Sequence, residues 1–155
     1  SGPRIQVKIQ ATSDGKVLTC KSKSDTGQAS IPMGAEFTTV SRSPYFMVQA
    51  LYDKIPLASV EIIKGELKDG ELKESTFTLW ASESGGLNIC SEWQDPEFDS
   101  SAPAFWYARI IESPRSRWSS EQCKKAERCD EFPNAMQTIQ DRAWTSPIWY
   151  LPERN

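Results

Sequence analysis

The side chains of this chain that could carry out acid–base or metal chemistry are carboxylates and cysteines, because the sequence contains no histidine. The best carboxylate group is Asp95, Glu97 and Asp99, which alternate in a proline-containing segment. Alternating oxygen ligands can wrap a calcium ion, but this run lacks the central glycine and the distal glutamate of an EF-hand loop. We therefore keep the three residues as a weak calcium candidate and prefer a solvated turn between two strands. The sequence predicts no catalytic residue, no other metal site and no cofactor.

The four cysteines, Cys20, Cys90, Cys123 and Cys129, leave a zinc site and disulfides as alternatives. Zinc would need all four thiolates, and their spacing does not form the paired C-x-x-C knuckles of such sites. We prefer disulfides and expect a local bond between Cys123 and Cys129. This bond requires a helix that ends before Cys129, because six residues on one helix turn through roughly 240° around its axis. Cys20 and Cys90 lie on strand-like segments. They are expected to be either free buried thiols or a second disulfide pair.

Tryptophans with neighbouring arginines are the candidates for a binding surface. Exposed tryptophans on a sheet could stack on sugar rings, but each also buries a large area and is a normal core residue. Arg115 and Arg117 lie near Trp118, and Arg142 lies near Trp144. Their guanidinium groups could bind an anion or a carboxylate, or they could pack on the indoles, which we prefer. These five residues form the candidate interdomain or ligand face.

Strand signals dominate the rest of the chain, with alternating apolar and polar residues in most segments. Strands are predicted at residues 5–10, 17–21, 45–51, 59–67, 74–80, 87–93, 104–112 and 146–151. A loop is predicted at 22–30, an Asp-Gly hairpin turn at 68–71, and a break at Gly85 and Gly86. One helix is predicted at 120–128, with Ser119 and Gln122 as a capping box, and a further helical turn at 138–142. This pattern predicts an all-β fold: an immunoglobulin-like or fibronectin-like antiparallel β-sandwich with one short helix.

The segment 104–112 is the most aromatic strand, and both of its faces are apolar. One face carries Trp106, Ala108 and Ile110, and the other carries Phe105, Tyr107, Arg109 and Ile111. We therefore expect both faces to be covered, the second either by the segment around Trp118 or by a partner domain.

Composition and charge exclude several classes of function. A chain of 155 residues fits a single domain, residues 1–155, that is long enough to bury a core. Its net charge is −3 and its basic residues are scattered, so the sequence does not predict nucleic-acid binding. No apolar run is long enough for a membrane span.

Two segments of the chain are distinctive, 93–99 and 142–152. Together with shorter matches at 2–5, 31–34 and 62–65, they resemble the C-terminal part of the domain-of-unknown-function 3604 family of exported bacterial proteins. Members carry an N-terminal metal-binding domain similar to the PHP phosphoesterases. None of its ligand motif is present here, so the resemblance transfers no catalytic residue. The segment 121–134 departs most from the family.

The resemblance implies that the chain is a C-terminal fragment that is not itself an enzyme. As an accessory domain, it would have the N-terminal PHP-like domain of the same polypeptide as its partner. The parent would be a metal-dependent hydrolase in the periplasm or outside the cell, where disulfides persist. The alternative function is a carbohydrate-binding module with a tryptophan platform.

Overall fold

The computed structural model describes residues 5–20, 30–38, 42–131 and 138–153. Most of these residues lie in strands: β1 Gln6–Thr12, β2 Ile31–Pro32, β3 Glu36–Phe37, β4 Tyr45–Leu51, β5 Leu57–Lys68, β6 Glu71–Gly86, β7 Asn88–Gln94, β8 Ala104–Glu112, β9 Arg115–Ser116, β10 Thr138–Ile139, β11 Arg142–Trp144 and β12 Ile148–Tyr150. One α-helix, α1, spans Trp118–Lys125, and a short 3₁₀ turn spans Cys129–Glu131.

Two sheets form the body of the domain. The smaller has the strand order β2-β1-β4-β7, and the larger has the order β3-β12-β8-β5-β6, with β11 also paired to β8. All of these pairings are antiparallel except that of β12 with β3. A separate two-stranded ribbon joins β9 to β10. The predicted all-β sandwich with one short helix is confirmed.

The core lies between the two sheets and follows from the alternation of residues along each strand. Ile9 and Val48 from the smaller sheet and Ile62 and Trp106 from the larger are fully buried in one cluster. Complete burial of an aliphatic or aromatic side chain contributes roughly 1.5–3 kcal/mol. The Trp106 ring lies 5.1 Å from that of Phe46 between ring centroids, which ties the two sheets together.

The longest hairpin, β5–β6, turns where the sequence predicts it. Lys68 pairs with Glu71 across the turn. The intervening Asp69 and Gly70 both have positive φ, at 54° and 80°. Such a pair of left-handed residues is what a type I′ turn requires, and Asp-Gly is a preferred sequence for it.

One expected strand is not observed. The described residues of 17–21 are not in a strand; Cys20 is held by a disulfide to Cys90 and by its N–H, which donates to Glu92. The break expected at the glycine pair is observed: β6 ends at Gly86, with Gly85 at a φ of 74°, and the next strand begins at Asn88 in the other sheet. The loop predicted at 22–30 lies outside the described residues, apart from Ser30.

The helical predictions need two further corrections. Helix α1 begins at Trp118 and ends at Lys125, with Arg117 as its N-cap and no side-chain capping hydrogen bond. The capping box expected from Ser119 is therefore wrong. The helical turn expected at 138–142 is also wrong, because the segment pairs instead with β9 and β8 in two short ladders.

Candidate functional site

Strand β8 has one face in the core and one face outside it. The core-facing residues are buried: Ala104, Trp106, Ala108, Ile110 and Glu112. The alternate residues are half-buried: Phe105, Tyr107, Arg109 and Ile111. The second set lies on the side of the larger sheet that faces away from the core, which we call the outer face. The segment around Trp118 was one expected cover of the outer face. Trp118 is instead 66% exposed and makes no ring contact in the described part of the chain.

Three aromatic side chains form a continuous row on the outer face. Trp149 lies directly opposite Phe105 in the β12–β8 ladder, and their ring centroids are 5.0 Å apart. Phe105 and Tyr107 follow along β8 with centroids 6.3 Å apart and ring planes only 13° from parallel. We call Trp149, Phe105 and Tyr107 the aromatic row. The 41% exposure of Trp149 keeps one end of the row accessible.

The layer beneath the row explains why these rings are held in place. Gly65 lies opposite Phe105 in the ladder, and a Cβ at Gly65 would collide with the far edge of the Phe105 ring. The glycine therefore allows this ring to lie against the backbone of β5. Ile63, opposite Tyr107, is fully buried although it is not part of the core cluster between the sheets. The side chains of the outer face thus cover a small apolar layer of their own.

Polar groups border the row. Arg109 donates from Nε to Glu61 Oε2 at 2.7 Å, and this pair lies side by side in the β8–β5 ladder. Trp144 lies opposite Arg109 on the next strand and is 56% exposed. On β6, the outer face presents exposed Thr76 and Thr78. The outer face therefore combines aromatic surface with hydroxyl, carboxylate and guanidinium groups.

The remaining predicted site residues lie beyond the sheet. Arg115 Nη2 donates to Asp141 Oδ2 at 2.6 Å, an ion pair that links β9 to the segment between β10 and β11. Arg117 caps the start of α1, and Trp118 is its first residue. Arg142 lies opposite Ile111 in the β11–β8 ladder, next to the pair formed by Ala143 and Ile110. Trp118 thus lies on the helix, whereas Trp144 lies on β11 of the larger sheet. No arginine stacks on an indole within the described ranges.

The six tryptophans divide into two groups. Trp106 is fully buried, and Trp80 and Trp93 pack against the core. Trp118, Trp144 and Trp149 are exposed. The expectation that the tryptophans are core residues therefore holds for the first group and not for the second.

The weak calcium candidate is not assembled as a site. Asp95 is 2% exposed, and its two carboxylate oxygens accept from Trp106 Nε1 at 3.1 Å and from Glu97 N–H at 2.9 Å. Asp99 Oδ1 instead accepts from the N–H and hydroxyl of Ser101. These hydrogen bonds hold the pKa of Asp99 below its ordinary value. Among the described residues, no three cysteine, aspartate or glutamate side chains are grouped so that they could hold a metal ion.

A buried lysine that sequence reasoning missed explains the position of Asp95. Lys64, on the core side of β5, is 3% exposed. Its Nζ lies 3.0 Å from Asp95 Oδ2 and 3.0 Å from Glu66 Oε1, and it donates to the Glu97 carbonyl oxygen at 2.7 Å. An ammonium group has three donors, and three acceptor oxygens lie within 3.0 Å of this one. We call Lys64, Glu66 and Asp95 the buried ion cluster.

Both pairs of cysteines are bonded in the structure. Cys123 and Cys129 form a disulfide with a Cα separation of 4.8 Å. The helix ends at Lys125, so the chain turns back before Cys129. Cys20 and Cys90 form the second disulfide, with a Cα separation of 5.8 Å.

Glu112 is a buried carboxyl group without a full set of partners. It is 1% exposed, and its Oε2 has no hydrogen-bond partner among the described residues. Burial raises the pKa of Glu112, and the negative charge of Asp141 raises it further, while Arg115 opposes the shift. The folded protein therefore favours the neutral acid more than the unfolded chain does.

We expect Glu112→Gln to flatten the pH dependence of stability above pH 4.5. Because the folded pKa lies above the ordinary value of 4.5, the stability from neutral Glu112 is complete at lower pH and is lost as the pH rises through the folded pKa. The free energy of unfolding of the glutamine variant should therefore rise relative to that of wild type toward pH 7, by on the order of 1 kcal/mol. Urea unfolding at several pH values measures this; parallel curves for the two proteins would contradict it.

The described fold is thus an all-β sandwich with an aromatic outer face and no grouped metal ligands. A family model described as "Protein of unknown function (DUF3604)" matches residues 1–84 and 78–152. The chain belongs to this family. A search of curated proteins finds no match to it. No helix in the described part of the chain is long and apolar enough to cross a membrane.

Proposed function

We propose that this chain is a non-catalytic accessory domain that packs on the PHP-like metal-binding domain of a larger, exported bacterial polypeptide. In this role it stabilises the catalytic domain or shapes access to its site. The PHP-like domain provides the metal ligands, since this chain has no histidine to contribute. Membership of the DUF3604 family and the resemblance to its C-terminal part support the proposal.

The observation that carries the proposal is the exposure of two tryptophans with arginine neighbours. Trp118 is 66% exposed and Trp144 is 56% exposed. A tryptophan has a large apolar area, and leaving it in water forgoes the stabilisation that burial brings. Aromatic residues and arginine are enriched at protein interfaces, and tryptophan is frequent among the residues that dominate binding energy. The proposed docking surface is therefore formed by Trp118 on α1 and Trp144 on β11.

The two disulfides support an exported location. Cys20–Cys90 and Cys123–Cys129 pair all four cysteines of the chain. Disulfides form and persist outside the cell and in the periplasm, whereas cytosolic thiols are generally kept reduced. Stable pairing of every cysteine therefore suits a periplasmic or secreted protein.

We expect Trp118→Ala and Trp144→Ala to act only where the partner domain is present. In the 155-residue chain, each exposed substitution should change the free energy of unfolding by no more than about 0.5 kcal/mol. In the polypeptide that includes the PHP-like domain, each should weaken interdomain packing by about 2 kcal/mol or more. Urea unfolding of both proteins, followed by tryptophan fluorescence and circular dichroism, measures the difference.

Trp106→Ala is the control for a core tryptophan, because Trp106 is fully buried. It should cost about 3–5 kcal/mol in either protein. If Trp118→Ala or Trp144→Ala destabilises the isolated chain as strongly, these residues belong to its own fold and the docking proposal fails. It also fails if neither substitution affects the longer polypeptide.

A further inference from the structure

We propose that the aromatic row binds a neutral, β-linked polysaccharide whose pyranose rings carry equatorial hydroxyl groups, such as a β-glucan or a xylan. This activity goes beyond interdomain docking. It uses Trp149, Phe105 and Tyr107 rather than Trp118 on α1.

The rings of the row provide the apolar part of such a site. Pyranose rings with equatorial hydroxyls expose flat C–H faces that pack against aromatic rings. Phe105 and Tyr107 are within 13° of parallel, and Trp149 continues the row at 5.0 Å from Phe105 with its ring plane tilted by 51°. The row therefore offers successive stacking positions, tilted relative to one another, to an extended chain.

The row is also held in shape before any ligand arrives. Phe105 lies in the space that a Cβ at Gly65 would need, and the residue opposite Tyr107 in the ladder, Ile63, is fully buried. Rings supported in this way lose little conformational freedom when a ligand binds, so less of the binding free energy is spent on ordering them. A partly exposed ring on a mobile loop would lack this advantage.

The polar groups around the row match the hydroxyl groups of a sugar. Exposed Thr76 and Thr78 lie on the same face of β6, two strands from the row on β8. Their hydroxyl groups can both donate and accept. Arg109 and Glu61 add a guanidinium and a carboxylate beyond Tyr107. Small-molecule sites typically combine an apolar surface with a few such polar groups.

The charges along the line of the aromatic row favour a neutral glycan over an acidic one. One line of paired residues crosses the sheet. On one side of Phe105, Trp149 pairs with it and Glu36 on β3 pairs with Trp149. On the other side, Gly65 pairs with Phe105 and Glu74 on β6 pairs with Gly65. Both ends of this line thus carry an exposed carboxylate. The cation nearest the row along β8 is Arg109, and Glu61 neutralises it. A polyanionic chain would meet repulsion here and find no unpaired cation along this line.

The test is titration of the 155-residue chain with cellohexaose and with xylohexaose, followed by calorimetry and by tryptophan fluorescence. We expect saturable binding of at least one of them. Trp149→Ala and Tyr107→Ala should each weaken binding by about ten-fold or more, a change of about 1.4 kcal/mol. Trp118→Ala is the matched control and should bind like wild type, because its ring lies on α1, outside the sheet.

Thr76→Val keeps the test decisive if an aromatic substitution unfolds the protein. It removes one exposed hydroxyl from β6 while keeping a β-branched residue suited to a strand, and it should weaken binding a few-fold. Absence of binding to both oligosaccharides at millimolar concentration would overturn the proposal. So would unchanged affinity in the folded variants, or tighter binding of heparin than of either neutral probe. Loss of interdomain packing in Trp149→Ala without sugar binding by wild type would assign the row to docking instead.

Discussion

Lys64→Met is expected to lower the free energy of unfolding by about 3–5 kcal/mol, the usual cost of breaking a buried ion pair by removing one partner. Lys64 is 3% exposed and lies 3.0 Å from both Asp95 and Glu66. Methionine fills a similar volume but offers no charge and no donors. Two buried carboxylates would then lose the cation that compensates them, and the Glu97 carbonyl would lose its hydrogen bond.

Lys68→Met is the matched control, because Lys68 pairs with the same glutamate. Its Nζ lies 2.9 Å from Glu66 Oε2, but its side chain is 39% exposed. An ion pair in such a position contributes about 1 kcal/mol or less. Urea unfolding at pH 7 should therefore separate the two lysines clearly, and equal losses would contradict a dominant role for the buried cluster.

The pH dependence of the Lys64 effect provides a second check. Burial raises the pKa of Glu66, but the hydrogen bonds and the positive charges of Lys68 and Lys64 together outweigh burial and leave this pKa below its ordinary value of 4.5. The stability that Glu66 provides is therefore present above that value and is lost as the pH falls through the folded pKa. The cost of Lys64→Met should shrink in acid, where protonated carboxyls no longer need a cation.

A combined variant tests whether the cluster is stabilising in itself. Adding Asp95→Asn and Glu66→Gln to Lys64→Met removes all three charges but leaves an amide oxygen that can accept from Trp106 Nε1. Replacement of a whole buried ion cluster often leaves stability unchanged. The triple variant should therefore recover much of the free energy of unfolding that Lys64→Met loses. Failure to recover would show that the lysine acts through its shape or through Glu97 alone.

The strands that form the sandwich core could be predicted from the sequence because alternation is a local signal. Both β4 Tyr45–Leu51 and β8 Ala104–Glu112 coincide with the predicted segments, as does the turn at Asp69 and Gly70. The two faces of β8 also follow from alternation alone. The short strands β9, β10 and β11 could not be predicted, because pairing with distant partners, not local propensity, determines the conformation of so few residues.

The candidate site was predictable only in part, for the same reason. The presence of Phe105 and Tyr107 on one face is a property of β8, but the addition of Trp149 depends on the register between β12 and β8. A local signal did exist for the ion cluster. Val60 and Ile62 alternate toward the core, so Lys64 must follow them inward. A buried lysine requires a charged partner, although the sequence could not show that this partner is Asp95.

The Cys20–Cys90 disulfide is expected to contribute more stability than the Cys123–Cys129 disulfide, because it closes a far longer loop. The sequence separations are 70 and 6 residues. Chain entropy gives roughly 4 kcal/mol for the longer loop and roughly 2 kcal/mol for the shorter one. The longer bond also holds the segment that follows β1 against β7, where Cys20 N–H donates to Glu92 Oε1 at 2.7 Å.

Serine replacements of each pair test this difference. We expect the Cys20→Ser, Cys90→Ser double variant to unfold at a much lower urea concentration than wild type, with a loss of roughly 4 kcal/mol. The Cys123→Ser, Cys129→Ser double variant should lose about half as much, because its loop closes within the short segment after α1. Wild type treated with a reductant should approach a variant that lacks all four cysteines. Equal losses in the two double variants, or a greater loss at Cys123 and Cys129, would show that loop length does not determine the contribution of these bonds.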